Sequence, residues 1–507
     1  MKAIHLSVAA LAACAFSTSA AALTTDKLEM KNNMMITYTK TPKNVDSFLE
    51  MFSEGVVYGR LRSNTFYWDW ENQNPYDPAT NKGNTKDNFA WGVGGSLIYS
   101  TGFLHGFGAT AGFYTTYTLF TDNGYTKNDG TMGDYGKAGK DTYARLYGSG
   151  ANIDVLALAY LEYKFAKTDI KYGRQIFEST LIKSNDTKMI PNTMQGIAIE
   201  SKDIKDTKLR AAYFYLQKLR DHREFHSIIA YDSTSPHWQQ NDDAGVHKGL
   251  NTNNIQAAGK NEFPGMYVAT VENKSVPNLK LNVDGMYIPE YFGSVIAEAN
   301  YAINTGGGWV LTPGARYIQQ IDEGAGSVGG AALSGKLAGQ SGSVGGYTDA
   351  GSVDGAAWMA RLVADHGPLS VSLGYSQILD DADLIAPWRG FPTGGYTRSM
   401  AQYNWLANTA SWMVKAGYNF GKAGYVPGLY AALDYAYMDY DQEKLDAGTI
   451  STTDRSIVHL DLVETLPSAP NLYLKFRTAF VSADKSPGVD VNYNSYSEYR
   501  FEMDYFF

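Results

Sequence analysis

The chain has 507 residues, among them 51 glycines, 37 tyrosines and one cysteine, and a formal net charge of −9. Its acidic balance argues against nucleic acid as a partner, and no run of about 18 apolar residues follows the N-terminal segment, which excludes helical membrane spans. A β-barrel escapes that test, because lipid-facing and lumen-facing residues alternate along each strand and dilute one another.

Lys2, the apolar stretch from Leu6 to Phe16 and the small residues Ala20-Ala21-Ala22 read as a secretory signal peptide over residues 1–22, too short to span a bilayer. Leu11-Ala12-Ala13-Cys14 resembles a lipoprotein processing box. The apolar run before it is very short and an ordinary cleavage site follows, so Cys14 is expected to leave with the signal, and no disulfides with it. Residues 23–54 read as an N-terminal periplasmic segment and 55–507 as the barrel.

From Gly55 onward, amphipathic segments recur, such as GVVYGRLRSNTFYW, NFAWGVGGSLIYS from Asn88, GFGATAGFYTTYTLF from Gly106 and ANIDVLALAYLEYKF from Ala151. Tight-turn compositions interrupt them at Thr101, Ala166, Lys205, Val276, Thr305, His366, Gly421 and Ser468. Longer polar stretches lie between, notably 121–150, 222–264, 323–355 and 380–408. Eight short turns alternating with nine outer connections predict about 18 strands, an all-β transmembrane antiparallel barrel with both termini in the periplasm. In the last strand Tyr499, Phe501, Met503, Tyr505 and Phe507 share one parity, and Glu498, Arg500, Glu502 and Asp504 the other. That aromatic ending predicts a bacterial outer-membrane protein, with Tyr505 and Phe507 as the signal read by the outer-membrane assembly machinery.

Two stretches resemble the OprD-like family of outer-membrane porins. One is DSFLEMFSEGVVYGRLRSNTFYW, from Asp46 to Trp68. The more specific one runs from Ile170 to Ile204, with Gly173-Arg174-Gln175, Ser184, Asp186, Lys188, Met189, Pro191 and Gly196 in the family's motif positions. The resemblance implies an eighteen-stranded barrel, substrate-selective diffusion of small molecules, and a third outer loop folded into the lumen. The loop at about 178–195 is the third outer connection in the strand count, so Asp186, Lys188 and Pro191 are the candidate constriction residues.

A passive channel selects by width and by the field of its lining. Charges are expected on the lumen parity, because Arg or Lys at the lipid midplane costs about 2–4 kcal/mol. The basic candidates are Arg60, Arg62, Arg174, Arg316, Arg361, Lys415, Lys475, Arg477 and Arg500, joined by Arg210, Lys218 and Arg220. Asp154, Glu162, Glu272, Asp284, Glu298, Asp434, Asp461, Glu498 and Glu502 are the acidic ones. Many of these could simply pair across the wall; the sharper reading is a basic ladder facing Asp186 across a transverse field.

Other motifs carry less. Gly324, Gly326 and Gly329 match G-x-G-x-x-G without strand–turn–helix context, so no dinucleotide is expected; the Gly-rich repeats from 324 to 355 predict a mobile external loop. In HREFH, Arg223 stands where a zinc protease needs glutamate after His222. His226, His237 and His247 with Asp232, Asp242 or Asp243 leave only incidental divalent-metal binding, and no cofactor, metal centre or enzymatic activity is expected. The expected function is an outer-membrane porin for ions and small polar or anionic solutes, with a preference for carboxylate-bearing or amino-acid-like ones. The alternative is a surface-exposed adhesin or structural barrel. Outer-membrane lipid is the expected surroundings, and monomer or homotrimer stays open.

Overall fold

The computed structural model describes residues 41–73, 87–122, 152–229, 246–400 and 402–507, with the backbone of two short strands, Leu28–Met30 and Ile36–Tyr38. The expected signal peptide, most of the 121–150 loop, and His237, Asp232, Asp242 and Asp243 lie outside the described residues.

Eighteen antiparallel strands close into a barrel. They are β1 (Val56–Trp70), β2 (Asn88–Ser100), β3 (Phe107–Asp122), β4 (Ile153–Phe165), β5 (Thr168–Gln175) and β6 (Thr193–Ser201). Then come β7 (Thr207–Lys218), β8 (Met266–Asn273), β9 (Leu279–Ile288), β10 (Phe292–Tyr301), β11 (Trp309–Asp322) and β12 (Gly355–His366). β13 (Leu369–Ile378), β14 (Ala410–Asn419), β15 (Tyr430–Asp439), β16 (Arg455–Leu466), β17 (Ala469–Ala483) and β18 (Tyr496–Phe506) complete it. The seam closes where β18 pairs with β1, from Tyr496 opposite Trp70 to Phe506 opposite Arg60. A closed barrel leaves no strand edge unpaired, which is what a strand-built protein needs in lipid.

The short turns fall where turn chemistry placed them. Asn278 and Gly367 reverse the chain with φ of 65° and 56°, a left-handed backbone that Asn and Gly tolerate best. One outer connection departs from the expectation of long loops: β9 and β10 are joined by Pro289, Glu290 and Tyr291 alone.

Alternation assigns the faces. On β14, Ser411 and Met413 are buried while Trp412 and Val414 are exposed outward, beside Tyr435 and Tyr437 of β15. A register shift between Gly112 and Phe113 interrupts the pattern between β3 and β4. Glu162 faces inward below it, whereas above it Ile153 and Val155 turn inward and Asp154 and Leu156 outward. Asp154, expected in the lumen, therefore stands exposed near the outer rim, accepting a 2.6 Å hydrogen bond from Thr115. An extra residue in one strand swaps every side chain beyond it to the other face. Phe507 continues the seam: its N–H and carbonyl bond Gly59 at 3.1 and 3.0 Å.

The outer half of the barrel is filled by its own loops. Phe177, Leu181 and Ile182 of the third outer loop (176–192) pack with Ile228 and Leu250 of the fourth (219–265). Val328 and Leu333 of the sixth (323–354) and Trp388 and Trp405 of the seventh (379–409) join them over inward Phe214, Phe292, Ile318 and Met359. This corrects the expectation of a mobile Gly-rich loop. Ala331, Ala332, Leu337, Tyr347 and Ala350 form a buried cluster with Ala382 and Ala407, because small residues let three backbones approach closely.

The cap is held by buried polar groups. Asp383 accepts from the N–H groups of Leu333 (2.9 Å) and Ala407 (2.8 Å) and from the Tyr347 hydroxyl (2.8 Å). Lys444, fully buried, is bound by Asp380 and by Asp441 at 2.9 Å. Replacing Asp383 with Ala would strand three buried donors at about 1–3 kcal/mol each. Limited proteolysis of Asp383→Ala is expected to cut within 331–350 while the barrel keeps its heat-modifiable gel migration. An uncut loop would mean that Asp383 is not its anchor.

His247 gives the cap a pH dependence. Its Nε2 donates to the Gly330 carbonyl at 2.9 Å and its Nδ1 accepts from the Gly249 N–H at 3.2 Å, so the folded cap holds the neutral ring. Burial pushes its pKa down to about 4. The stabilisation is complete above the unfolded value of about 6.5 and is lost as pH falls through about 4, to a limit of about 3 kcal/mol. Protease cutting of the sixth outer loop should therefore rise between pH 6 and pH 4, and rise less in His247→Phe.

Candidate functional site: the pore constriction

The third outer loop leaves β5, crosses the lumen to β1, and returns to β6. Asp186 forms an ion pair with Arg60 and another with Arg62 at 3.2 Å, and Arg62 also donates to the Asp186 carbonyl at 2.8 Å. Asn64 donates to the Thr187 carbonyl at 2.7 Å. Met189 and Ile190, both fully buried, lie against Phe66 and Trp68 of β1 and Ile98 of β2 respectively. Asn185 and Met189 take positive φ (34° and 76°), the sharp backbone that folding the loop inward requires.

Two further loops pin this segment. Lys188 pairs with Asp221 of the fourth outer loop at 2.8 Å, and Arg389 of the seventh reaches the same carboxylate at 3.2 Å. Burial alone would raise the Asp221 pKa, but Lys188 and Arg389 hold it well below the usual carboxylate range. The Lys218 ammonium donates to the Pro191 carbonyl at 2.9 Å. The Lys183 N–H donates to the Trp388 carbonyl at 3.0 Å and the Gly390 N–H to the Leu181 carbonyl at 2.9 Å, so the third and seventh outer loops run together as one partition.

That geometry reassigns several expected pore residues. Asp186 touches Arg60 and Arg62 directly, where a field across open water was expected. Arg60, Arg62 and Lys475 are buried, and Arg62 and Lys475 each also meet Glu502 and Asp504. Oppositely charged neighbours in a low-dielectric wall bind each other, leaving little field for a passing solute.

Arg174 is on the other face. Glu162 and Lys171 pair inward, so Tyr172 and Arg174 point outward, one residue beyond Gly173 at φ 129°. Its guanidinium is satisfied at the outer rim by the Leu156 carbonyl (3.2 Å), Gln195 (3.4 Å) and the ring of Phe225. The expectation that it lines the lumen is corrected.

The remaining candidates face inward with part of their charge accessible. Arg316 binds Glu298 at 2.6 Å and the carbonyls of Pro392 and Gly394. Arg361 binds Asn300 at 2.7 Å and the Gly395 carbonyl, and both guanidiniums lie 4.7 Å from the Tyr396 ring. Arg477 pairs with Asp461 at 2.6 Å and Arg500 with Glu498 at 2.5 Å, while Lys415 sits opposite Asp434 in the register of β14 and β15.

One residue that sequence reasoning missed completes the cluster. Arg398, on the seventh outer loop, stacks 3.4 Å over the Phe391 ring and makes no hydrogen bond or ion pair among the described residues. Burial, then the charges of Arg477, Arg500 and Arg220, push its pKa down to about 10, which leaves it cationic at neutral pH. Arg220 itself donates to Asn185 of the third loop at 2.9 Å. The segment PWRGFPTGGYTRSM (387–400), mixing arginine and aromatics within an outer connection, was the available signal.

A closed eighteen-stranded barrel, narrowed from outside by loops that fold between its walls and lined there by arginines, defines a channel of the bacterial outer membrane for small solutes. It is not an enzyme. The family model for the outer membrane porin, OprD family, matches residues 54–506, and the chain belongs to that family. Similar solved structures include OccAB3 of Acinetobacter baumannii, at 16% identity and TM-score 0.66, covering 90% of this chain and 99% of that one. A BenF-like porin from Pseudomonas fluorescens Pf-5 matches at 16% identity and TM-score 0.64 over 90% and 99%. Pseudomonas aeruginosa OpdK, solved with vanillate, matches at 14% identity and TM-score 0.61 over 89% and 98%. No curated protein matches the chain in sequence.

Proposed function

We propose that the channel favours small solutes bearing a carboxylate, and that Arg398, Arg220, Arg477 and Arg500 are the groups that attract them. The observation that carries this reading is the unpaired Arg398 guanidinium over Phe391, in the company of three further arginines. Arg477 and Arg500 are each balanced by one carboxylate, whereas Arg398 has none among the described residues, so the local sum is positive. In a confined, low-dielectric passage such an excess raises the local anion concentration without tight binding. The partly exposed rings of Phe391 and Tyr403 beside it, backed by buried Trp405, suit solutes with a flat apolar part. The vanillate bound by OpdK has that chemistry, an aromatic ring carrying a carboxylate.

Proteoliposome swelling tests the reading. Benzoate-type carboxylates should enter several times faster than neutral aromatics of equal size. Equal rates would remove the selectivity and leave the channel.

A further inference from the structure

The helix α1 (Phe48–Ser53) precedes β1 and is built at both ends. Ser47 caps it by accepting from the Glu50 N–H at 3.3 Å, and Glu50 reaches back to the Asp46 N–H at 3.0 Å. Its last turn is tied to the first periplasmic turn, where the Gly102 N–H donates to the Met51 carbonyl at 2.8 Å. The Tyr99 hydroxyl donates to the Phe52 carbonyl, also at 2.8 Å. Just before the helix, Val45 is buried, and Asn44–Val45 pairs in parallel with Phe103–Leu104.

Held this firmly, the helix buries none of its own side chains. Phe48, Leu49 and Phe52 are 65%, 80% and 52% exposed. A six-residue helix in water gains little from propensity, and three large apolar groups facing solvent add nothing to it. The face on which it sits resolves the conflict. Tyr99 shares the outward parity of β2 with Leu97, which is itself exposed, and Phe107 and Phe113 carry the same exposed apolar surface across β3. The helix is therefore outside the barrel wall, at the periplasmic ends of β1 to β3, and continuous with the lipid-facing band.

We infer that α1 is an interfacial foot, seated in the inner leaflet with Phe48, Leu49 and Phe52 at the boundary between phospholipid headgroups and acyl chains. Asp46, Glu50 and Glu54 stay on the aqueous side, as an interfacial helix requires. The residues before β1 thus contact lipid, and the expectation of a purely periplasmic segment is narrowed to those upstream. Tyr99 extends the aromatic girdle that barrels place at each interface.

The test uses the full-length protein with Cys14→Ser, carrying Leu49→Cys labelled with an environment-sensitive fluorophore, in phosphatidylethanolamine–phosphatidylglycerol vesicles. Lys485→Cys in an outer loop serves as the aqueous control. Lipids with a nitroxide high on the acyl chain should quench the Leu49 label at least about threefold more than the control label, and iodide correspondingly less. Efficient iodide quenching with no effect of nitroxide lipids, in a barrel of normal heat-modifiable migration, would overturn the inference. So would protection from both quenchers, which would mean that another protein surface covers the helix. If Leu49→Cys fails to fold, Phe48→Cys, labelled the same way, reports on the same face with the same outcomes.

Discussion

Replacing residues 185–191 with a two-glycine link is expected to raise single-channel conductance about two- to threefold, because a channel's conductance follows its narrowest section. The excision is geometrically modest: the Asn192 N–H and the Ser184 carbonyl already bond at 2.5 Å, so the ends to be joined are neighbours. It removes the span that carries Asp186, Lys188 and Met189 across the lumen, while the β5–β6 register from Gln175 opposite Met194 to Thr168 opposite Ser201 needs none of those residues. Arg60 and Arg62 lose Asp186 but gain water, and Arg62 keeps Glu502 and Asp504. Asp186→Ala alone is harsher, because it leaves buried arginine charge without its partner, at about 3–5 kcal/mol. That variant should make the open channel noisy. Unchanged conductance after the excision would show that the loop does not set the pore's width.

The second large effect is on charge selectivity. Arg398→Gln with Arg220→Gln should lower the anion-to-cation permeability ratio by about twofold or more, since Arg398 has no carboxylate partner among the described residues and Arg220 adds to the positive charge around it. The effect should shrink in concentrated salt, where the screening length falls from about 10 Å at 0.1 M to about 3 Å at 1 M. Arg174→Gln is the contrast, and should leave the reversal potential alone because its guanidinium lies on the outward face. A shift on Arg174→Gln with none on the pair would place the selective charge elsewhere.

What could be read from the sequence follows from the range of the forces involved. Strand alternation and turn chemistry are local, so the eighteen strands, the eight short turns and the inward parity of Arg316, Arg361, Lys415, Arg477 and Arg500 were all legible. Parity failed where one extra residue, Ala157, enters β4 opposite Gly112 and Phe113, and that insertion leaves no periodic signature. Arg174 shares the outward parity of Tyr172, and was misplaced because the motif, not the alternation, put it beside the constriction. The constriction was half legible. Asp186 could be placed on the third loop by its motif, but its contacts come from β1, more than a hundred residues earlier. Likewise the clasp of Lys188 and Arg389 on Asp221 joins three loops. The seventh outer loop read as a polar connection because its fold depends on packing Trp388 and Trp405 against loops distant in sequence. The Gly-rich loop read as mobile for the same reason: small residues signal close packing only when the partner surface is known.

The central claim is that the barrel is a channel whose arginine-lined constriction favours anions. The most direct measurement is the reversal potential of the unmodified protein in a planar bilayer across a potassium chloride gradient at low salt. Discrete conductance steps with a reversal potential displaced toward that of chloride are the predicted result. A silent barrel, or steps that reverse toward the potassium potential, would contradict it.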